Sequence, residues 1–300
     1  MVHAAWPDKP IRIVVAFPPG ATTDIIARAF SAPLSEALGQ PIIIENRPGA
    51  GGNIATVAVA RSPADGYTLL MHSVAYAVNP SLYTKAGYEV GKDLASVAIA
   101  GVSPNILYVH PSVKANTLAE LLALSKTDKL SYASSGNGSA QHLAGALFES
   151  ATGVDMVHVP YKGGGPALND VVGGQVPLFF GNLASTLQHV QSGKLRALAV
   201  TSAKRSHILS GVPTLSEVGV KGAEIYEWNA VFVPTGTPDA VVAKIASAFQ
   251  QALDAPEVKQ RIAQLGGEIQ RSTPEQAQSF IEQQIALWGR VIKDRKIAVE

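Results

Sequence analysis

Four short segments concentrate the residues that could do chemistry: Pro18-Pro19-Gly20-Ala21-Thr22-Thr23-Asp24, Asn46-Arg47-Pro48-Gly49-Ala50-Gly51-Gly52-Asn53, Ser134-Ser135-Gly136-Asn137-Gly138-Ser139 and Tyr161-Lys162-Gly163-Gly164-Gly165-Pro166. Each is rich in glycine or hydroxyl groups, carries little charge, and stands between an apolar run and a segment of helical period. A helix that begins at such a place presents unpaired backbone N–H groups and about half a positive charge, so it binds an anion without a charged side chain. Glycines let a ligand come close to the backbone. The chemistry these loops suit is recognition of a small anion by neutral donors.

The candidate donors follow from the residue types. Backbone N–H groups of Ala21, Thr22 and Thr23 serve one loop, and those of Gly136, Asn137 and Ser139 another. The hydroxyls of Thr23, Ser73, Ser134 and Ser139 and the amides of Asn137 and Asn182 add hydrogen bonds, while Phe17, Pro19 and Tyr161 can wall an apolar middle. Asp24 belongs to the same loop, where a carboxylate in a helix first turn suits the dipole and reads as a cap rather than a general base. Arg47 and Lys162 could bind the anion directly, but amide dipoles achieve this without burying a charge, so both are expected at the surface or in ion pairs.

Catalytic and cofactor patterns are poor. The chain has no cysteine, and its seven histidines have no partner at ligand spacing. There is no G-x-x-x-x-G-K-[ST], no complete G-x-G-x-x-G, no H-E-x-x-H and no G-x-S-x-G, so no metal, phosphate cofactor or nucleophile elbow is expected. His142 could touch ligand, although a buried, hydrogen-bonded histidine is the plainer expectation. An α/β enzyme working through Asp24 or His142 is the alternative reading, and turnover assays would separate it from a binding protein.

The loops need elements to hold them. Apolar runs alternate with helix-period segments along the chain, which predicts an α/β fold with mostly parallel sheets. Strands are expected over 11–17, 42–45, 67–72, 94–100, 106–110, 130–133, 156–159, 177–180 and 195–200. Helices are expected over 24–38, 54–61, 140–152, 238–253, 256–265 and 274–293, with others entered at Thr117 and Pro166; the stretch before 94 reads as loop. Thr273, Pro274 and Gln276 compose a capping box. In open sheets such loops lie at the carboxyl ends of strands, where ligands bind. Two series of them predict two lobes with a ligand cleft between, 6–103 with 230–300 and 104–229, the chain crossing near 101–105 and 227–230.

Composition agrees. With 300 residues, 47% of them hydrophobic and 16% charged, the chain can bury more than one core. A net charge of +1 without a basic stripe argues against nucleic acid. No apolar run approaches the ~20 residues of a membrane-spanning helix. The start, Met1 to Trp6, has no charged head or apolar h-region; Ala4-Ala5 is compatible with the end of a cleavage site, a hint of export and not evidence for it.

In Trp6-Pro7-Asp8-Lys9-Pro10-Ile11, Phe17 to Asp24, Asn46 to Gly52, Ala64-Asp65-Gly66-Tyr67-Thr68-Leu69-Leu70, His158-Val159-Pro160-Tyr161-Lys162-Gly163, Gly173-Gly174-Gln175-Val176, Arg196-Ala197-Leu198-Ala199-Val200-Thr201 and Val212-Pro213-Thr214-Leu215, the sequence resembles the substrate-binding receptors of tripartite tricarboxylate transporters, the Bug receptors. The resemblance covers essentially the whole chain. It implies a type II periplasmic binding protein fold, a monomer exported to the periplasm, a carboxylate ligand (aliphatic or aromatic, terephthalate included), no cofactor, and docking on membrane subunits of a transporter. A sensor that presents its ligand to a membrane kinase would use the same fold. Two departures from the family's pattern stand out: Ala21 where Pro-Gly-Gly is common, and Asn182 where Asp is common. The second is expected to remove a negative charge from the cleft and to favour an anionic ligand.

Overall fold

A computed structural model describes residues 6–161 and 164–297. By its contacts the chain divides into two compact units, one running to Val102 and resuming over Trp228–Gly289, the other comprising Ser103–Glu227 and the residues from Arg290 onward. The sequence expectation returned all of 230–300 to the first lobe. The contacts instead group the last residues with the second unit, where Arg295 pairs with Glu149 at 3.2 Å.

The first unit is built on β1 (Ile11–Val15), β2 (Ile42–Asn46), β3 (Thr68–Ser73), β4 (Leu94–Pro104) and, after the second unit, β10 (Tyr226–Pro234), in the order β2-β1-β3-β10-β4. The run Ile11 to Val15 is almost wholly buried because β1 is central, whereas β2 at the edge leaves Ile43 half exposed. Three helices connect the early strands: α1 (Thr22–Leu38), α2 (Asn53–Ala60) and α3 (Ala75–Leu82). The first ends where Gly39 takes a left-handed conformation and its N–H donates to Ser35. Its inner face, with Ile26, Phe30 and Leu34, packs on Ile245 and Phe249 of α8 (Asp239–Ala252), the two phenyl rings 5.3 Å apart. The unit is completed by α9 (Pro256–Gln264) and most of α10 (Pro274–Asp294). The capping box forms as expected: Thr273 N–H donates to Gln276 Oε1 at 2.9 Å, and Gln276 N–H to Thr273 Oγ1 at 3.2 Å.

The second unit holds β5 (Ile106–Val109), β6 (Ser131–Ser134), β7 (Val157–Pro160), β8 (Leu178–Gly181) and β9 (Arg196–Val200), in the order β7-β6-β8-β5-β9. Its helices are α4 (Leu118–Leu124), α5 (Ala140–Thr152), α6 (Gly164–Val172) and α7 (Leu183–Gln191). Thr117 caps α4 by accepting the Glu120 N–H. The core gathers Ile106, Tyr108, Ala133, Val171 and Phe179.

Four features differ from the sequence reading, the first being β10 itself, which has no counterpart among the expected strands because 227–230 read only as a crossing between lobes. Both sheets are mixed: β10 runs antiparallel to β3, and β5 antiparallel to β8 and β9. The reason is connectivity, since a strand that enters at the carboxyl ends of its neighbours must run back along them. The stretch read as loop contains α3, despite Pro80. No helix was expected after β8, yet α7 begins directly behind Asn182.

Candidate functional site

In the first unit the parallel strands end at Val15, Asn46 and Ser73, and the expected loops follow them. Asp24 organises this end. Its carboxylate is buried and accepts from Gly20 N–H at 2.9 Å, Arg28 Nε at 3.0 Å and Asn46 Nδ2 at 2.9 Å. The same Asn46 amide donates to the Phe17 carbonyl, also at 2.9 Å. Burial alone would raise the Asp24 pKa, but hydrogen bonds from Arg28, Gly20 and Asn46 outweigh it and hold the carboxyl below its ordinary value. Asp24 therefore fixes the loop, and its pairing with Arg28 leaves the helix terminus without a net local charge.

The start of α1 is open. Ala21 occupies the N-cap position, where its side chain can offer no hydrogen bond, so the first-turn amides of Thr22 and Thr23 are not capped. The Thr22 and Thr23 hydroxyls likewise have no partner among the described residues. Ala21 N–H, expected as a third donor, is instead spent on the Pro18 carbonyl at 3.2 Å in a tight turn. Pro19 is exposed, and Phe17 is half-buried edge-on to the His72 ring at 5.4 Å. Ser73 N–H donates to His72 Nδ1 at 2.8 Å, while its hydroxyl is unpaired among the described residues. In the second loop Gly52 is required for packing rather than ligand approach: its φ is +95°, and a Cβ there would lie 2.3 Å from His72 Nε2. Arg47 is exposed and paired with Glu45.

In the second unit the loop between β6 and α5 is wired internally. Ser134 Oγ, buried, accepts from Gly136 N–H at 3.1 Å and lies 2.6 Å from His158 Nε2. Ser139 N–H donates to the Gly136 carbonyl at 3.1 Å, and Ser139 Oγ accepts the His142 N–H at 3.3 Å as the cap of α5. The expected donors Gly136 N–H, Ser139 N–H and the Ser134 hydroxyl are thus engaged within the loop. Asn137 is exposed and remains available. Tyr161 N–H donates to Ser134, and its hydroxyl donates to Asp170 at 2.6 Å, which together with partial burial pushes the phenol up to about 12. Gly136 meets the Tyr161 carbonyl so closely that a Cβ would come within 3.1 Å. Lys162 lies outside the described residues.

Asn182 has a capping role that the sequence reading did not give it. It caps α7 through Oδ1, accepting from Ser185 N–H at 3.1 Å. Burial raises the pKa of Glu227, and the influence of Asn182 opposes that rise only in part. Two further residues were missed. Asn105, wholly buried next to Ile106, which is paired with Gly181, leaves both amide atoms without a partner among the described residues. Asn229, paired with Ser73, leaves Oδ1 so. Nothing in the sequence marks them, because only strand register brings each to the carboxyl end of its sheet.

The pattern of tripartite tricarboxylate transporter family receptors matches residues 26–297. Among solved structures, the periplasmic binding protein BugD is 35% identical with a TM-score of 0.80, over 97% of this chain and 99% of that one. Rpa4515 of Rhodopseudomonas palustris, solved with adipate, is 37% identical with a TM-score of 0.83, over 98% and 99%. MatC (Rpa3494) of the same organism, solved with bound malate, is 32% identical with a TM-score of 0.80, over 96% and 100%.

Proposed function

The chain belongs to the tripartite tricarboxylate transporter family of receptors, and from that premise we propose that it captures a small organic di- or tricarboxylate in the periplasm and presents it, unchanged, to the transporter's membrane subunits. The observation that carries the ligand class is the start of α1. Two first-turn amides, those of Thr22 and Thr23, stand uncapped beside free hydroxyls, and the nearby Asp24 is already neutralised by Arg28. A carboxylate oxygen placed there completes the amides and meets the positive end of a 17-residue helix. Malate and adipate, bound by relatives, define the aliphatic members to test; terephthalate and citrate extend the range.

In the second unit Asn137, the unpaired amide of Asn105 and the outward-facing parts of the loop that Ser134 and Ser139 hold in place are the donors available among the described residues. On this reading Asp24, Ser134 and Ser139 shape the site, whereas Thr22, Thr23, Ser73 and Asn137 touch the ligand, with Phe17 and Tyr161 at its apolar part. Calorimetry with malate, adipate, citrate and terephthalate tests the proposal, with chromatography of the recovered ligand. At least one should bind and be recovered intact, and Ala21→Asp should weaken it by about tenfold or more by setting a like charge at the helix terminus. Failure of all four to bind, or indifference to Ala21→Asp, rejects the proposal.

A further inference from the structure

His142 and His158 stack face to face, ring centroids 3.7 Å apart and planes within 6°. Each reaches a different part of the loop between β6 and α5. His142 Nδ1 accepts the Gly138 N–H at 3.0 Å, and His158 Nε2 meets Ser134 Oγ at 2.6 Å. From Ser134 the chain of hydrogen bonds runs to Gly136, from Gly136 to Ser139, and from Ser139 back to the His142 N–H. The loop is thus closed into a circuit with the imidazole pair as its spine. We propose that His142 and His158 are positioning residues for ligand capture, and that protonation of the pair releases the loop and weakens binding. This rests on the carboxylate-receptor reading given above.

The physical argument concerns which forms the circuit tolerates. Nδ1 of His142 can accept from Gly138 only while unprotonated, and an imidazolium there would turn a donor toward a donor. Two charged rings at stacking distance repel as well. The groups that face the pair are Tyr132 of β6, whose ring stacks on His158 at 5.1 Å, Glu149 of α5, and Asp155 before β7. Asp294, Arg295 and Lys296 at the end of α10 join them around a cavity of about 310 Å³. Glu149, whose pKa is raised by burial, is paired with Arg295. Burial pushes His142 down to about 3, with the neighbouring His158 charge adding to the effect, and pushes His158 to about 4.

A released loop has ordinary histidines near 6.5 and takes up protons that the closed loop refuses. The closed form's advantage is therefore complete above 6.5 and is lost as pH falls toward 4. Such a loop would hold ligand at neutral pH and surrender it under acid.

Asn carries its oxygen where Nδ1 of histidine lies, and Gln its nitrogen where Nε2 lies, so His142→Asn/His158→Gln keeps the circuit without a titrating group. Adipate and malate binding should fall by about threefold or more between pH 7.5 and 5 in the wild type beyond any fall in this double variant, in which the ligand's own protonation acts equally. His142→Leu should weaken binding at pH 7.5 by about tenfold, the worth of a lost hydrogen bond, with its circular dichroism unchanged. Amide exchange at Gly136 and Gly138, read without ligand, should quicken at pH 5 relative to neighbouring amides in the wild type and not in the double variant. If neither ligand binds, the receptor reading is at fault and the exchange experiment still judges the loop. Equal exchange in the two proteins, superimposable pH profiles, or wild-type affinity in His142→Leu overturns the proposal.

Discussion

At the scale of single residues, the described loops show how much of a binding site is spent on holding itself. Asp24 is buried under three kinds of donor, so Asp24→Asn should cost about 1–3 kcal/mol of stability in urea denaturation, the penalty for disrupting a buried charged hydrogen-bond centre. The sign of its pH dependence follows from its lowered pKa. Its contribution is present above the ordinary carboxylate value of 3.8 and disappears as pH falls through the lower folded value, so wild type and variant should converge in acid. A constant gap down to pH 2 would mean that Asp24 stabilises through shape alone. Gly52 is a stricter case, because positive φ and the His72 ring both exclude a side chain and His72 is itself fully buried. Gly52→Ala should destabilise the chain by more than ~1 kcal/mol. A melting temperature equal to wild type would show that β3 gives way easily.

At the scale of elements, the helix termini at the ends of the two sheets differ in a way that decides what they can do. The start of α1 has Ala21 at its cap and leaves its amides open, whereas α5 and α7 are capped by Ser139 and Asn182. Ser139→Ala should therefore lower stability by about 0.5–2 kcal/mol, the usual cost of losing such a cap, and disturb ligand binding only through the loop. Thr23→Val should do the reverse, leaving denaturation nearly unchanged while weakening binding by ~0.5–1.5 kcal/mol. Calorimetry and chemical denaturation on the two variants give this crossed pattern or refute it. A variant Ser139→Ala that keeps full stability yet loses the ligand would move Ser139 from cap to direct contact.

At the scale of the molecule, Trp6, Trp228 and Trp288 all belong to the first unit, so tryptophan fluorescence reports its unfolding while circular dichroism reports both units. A ligand present at 100 times its dissociation constant stabilises what it binds by about 2.7 kcal/mol. If donors of both units hold one carboxylate, adipate or malate should shift the two signals together. A shift confined to fluorescence would assign the ligand to the first unit alone.

The α/β class, most of the elements, the four loops and the family are legible in the chain itself, because each is encoded locally: apolar period, helix caps such as Thr117 and Thr273, and glycines at turns; β10, α3 and α7 are not. The rest depends on contacts between residues far apart along the chain. Whether a backbone N–H is free or spent depends on what folds against it, and so Ala21, Gly136 and Ser139 lost the amides expected of them while Thr22 and Thr23 kept theirs. The sheets became mixed because strand direction follows the path of the chain rather than the composition of the strand. His142 and His158, unremarkable at their separation along the chain, became a pair only when β7 was laid beside β6 and α5 returned across them.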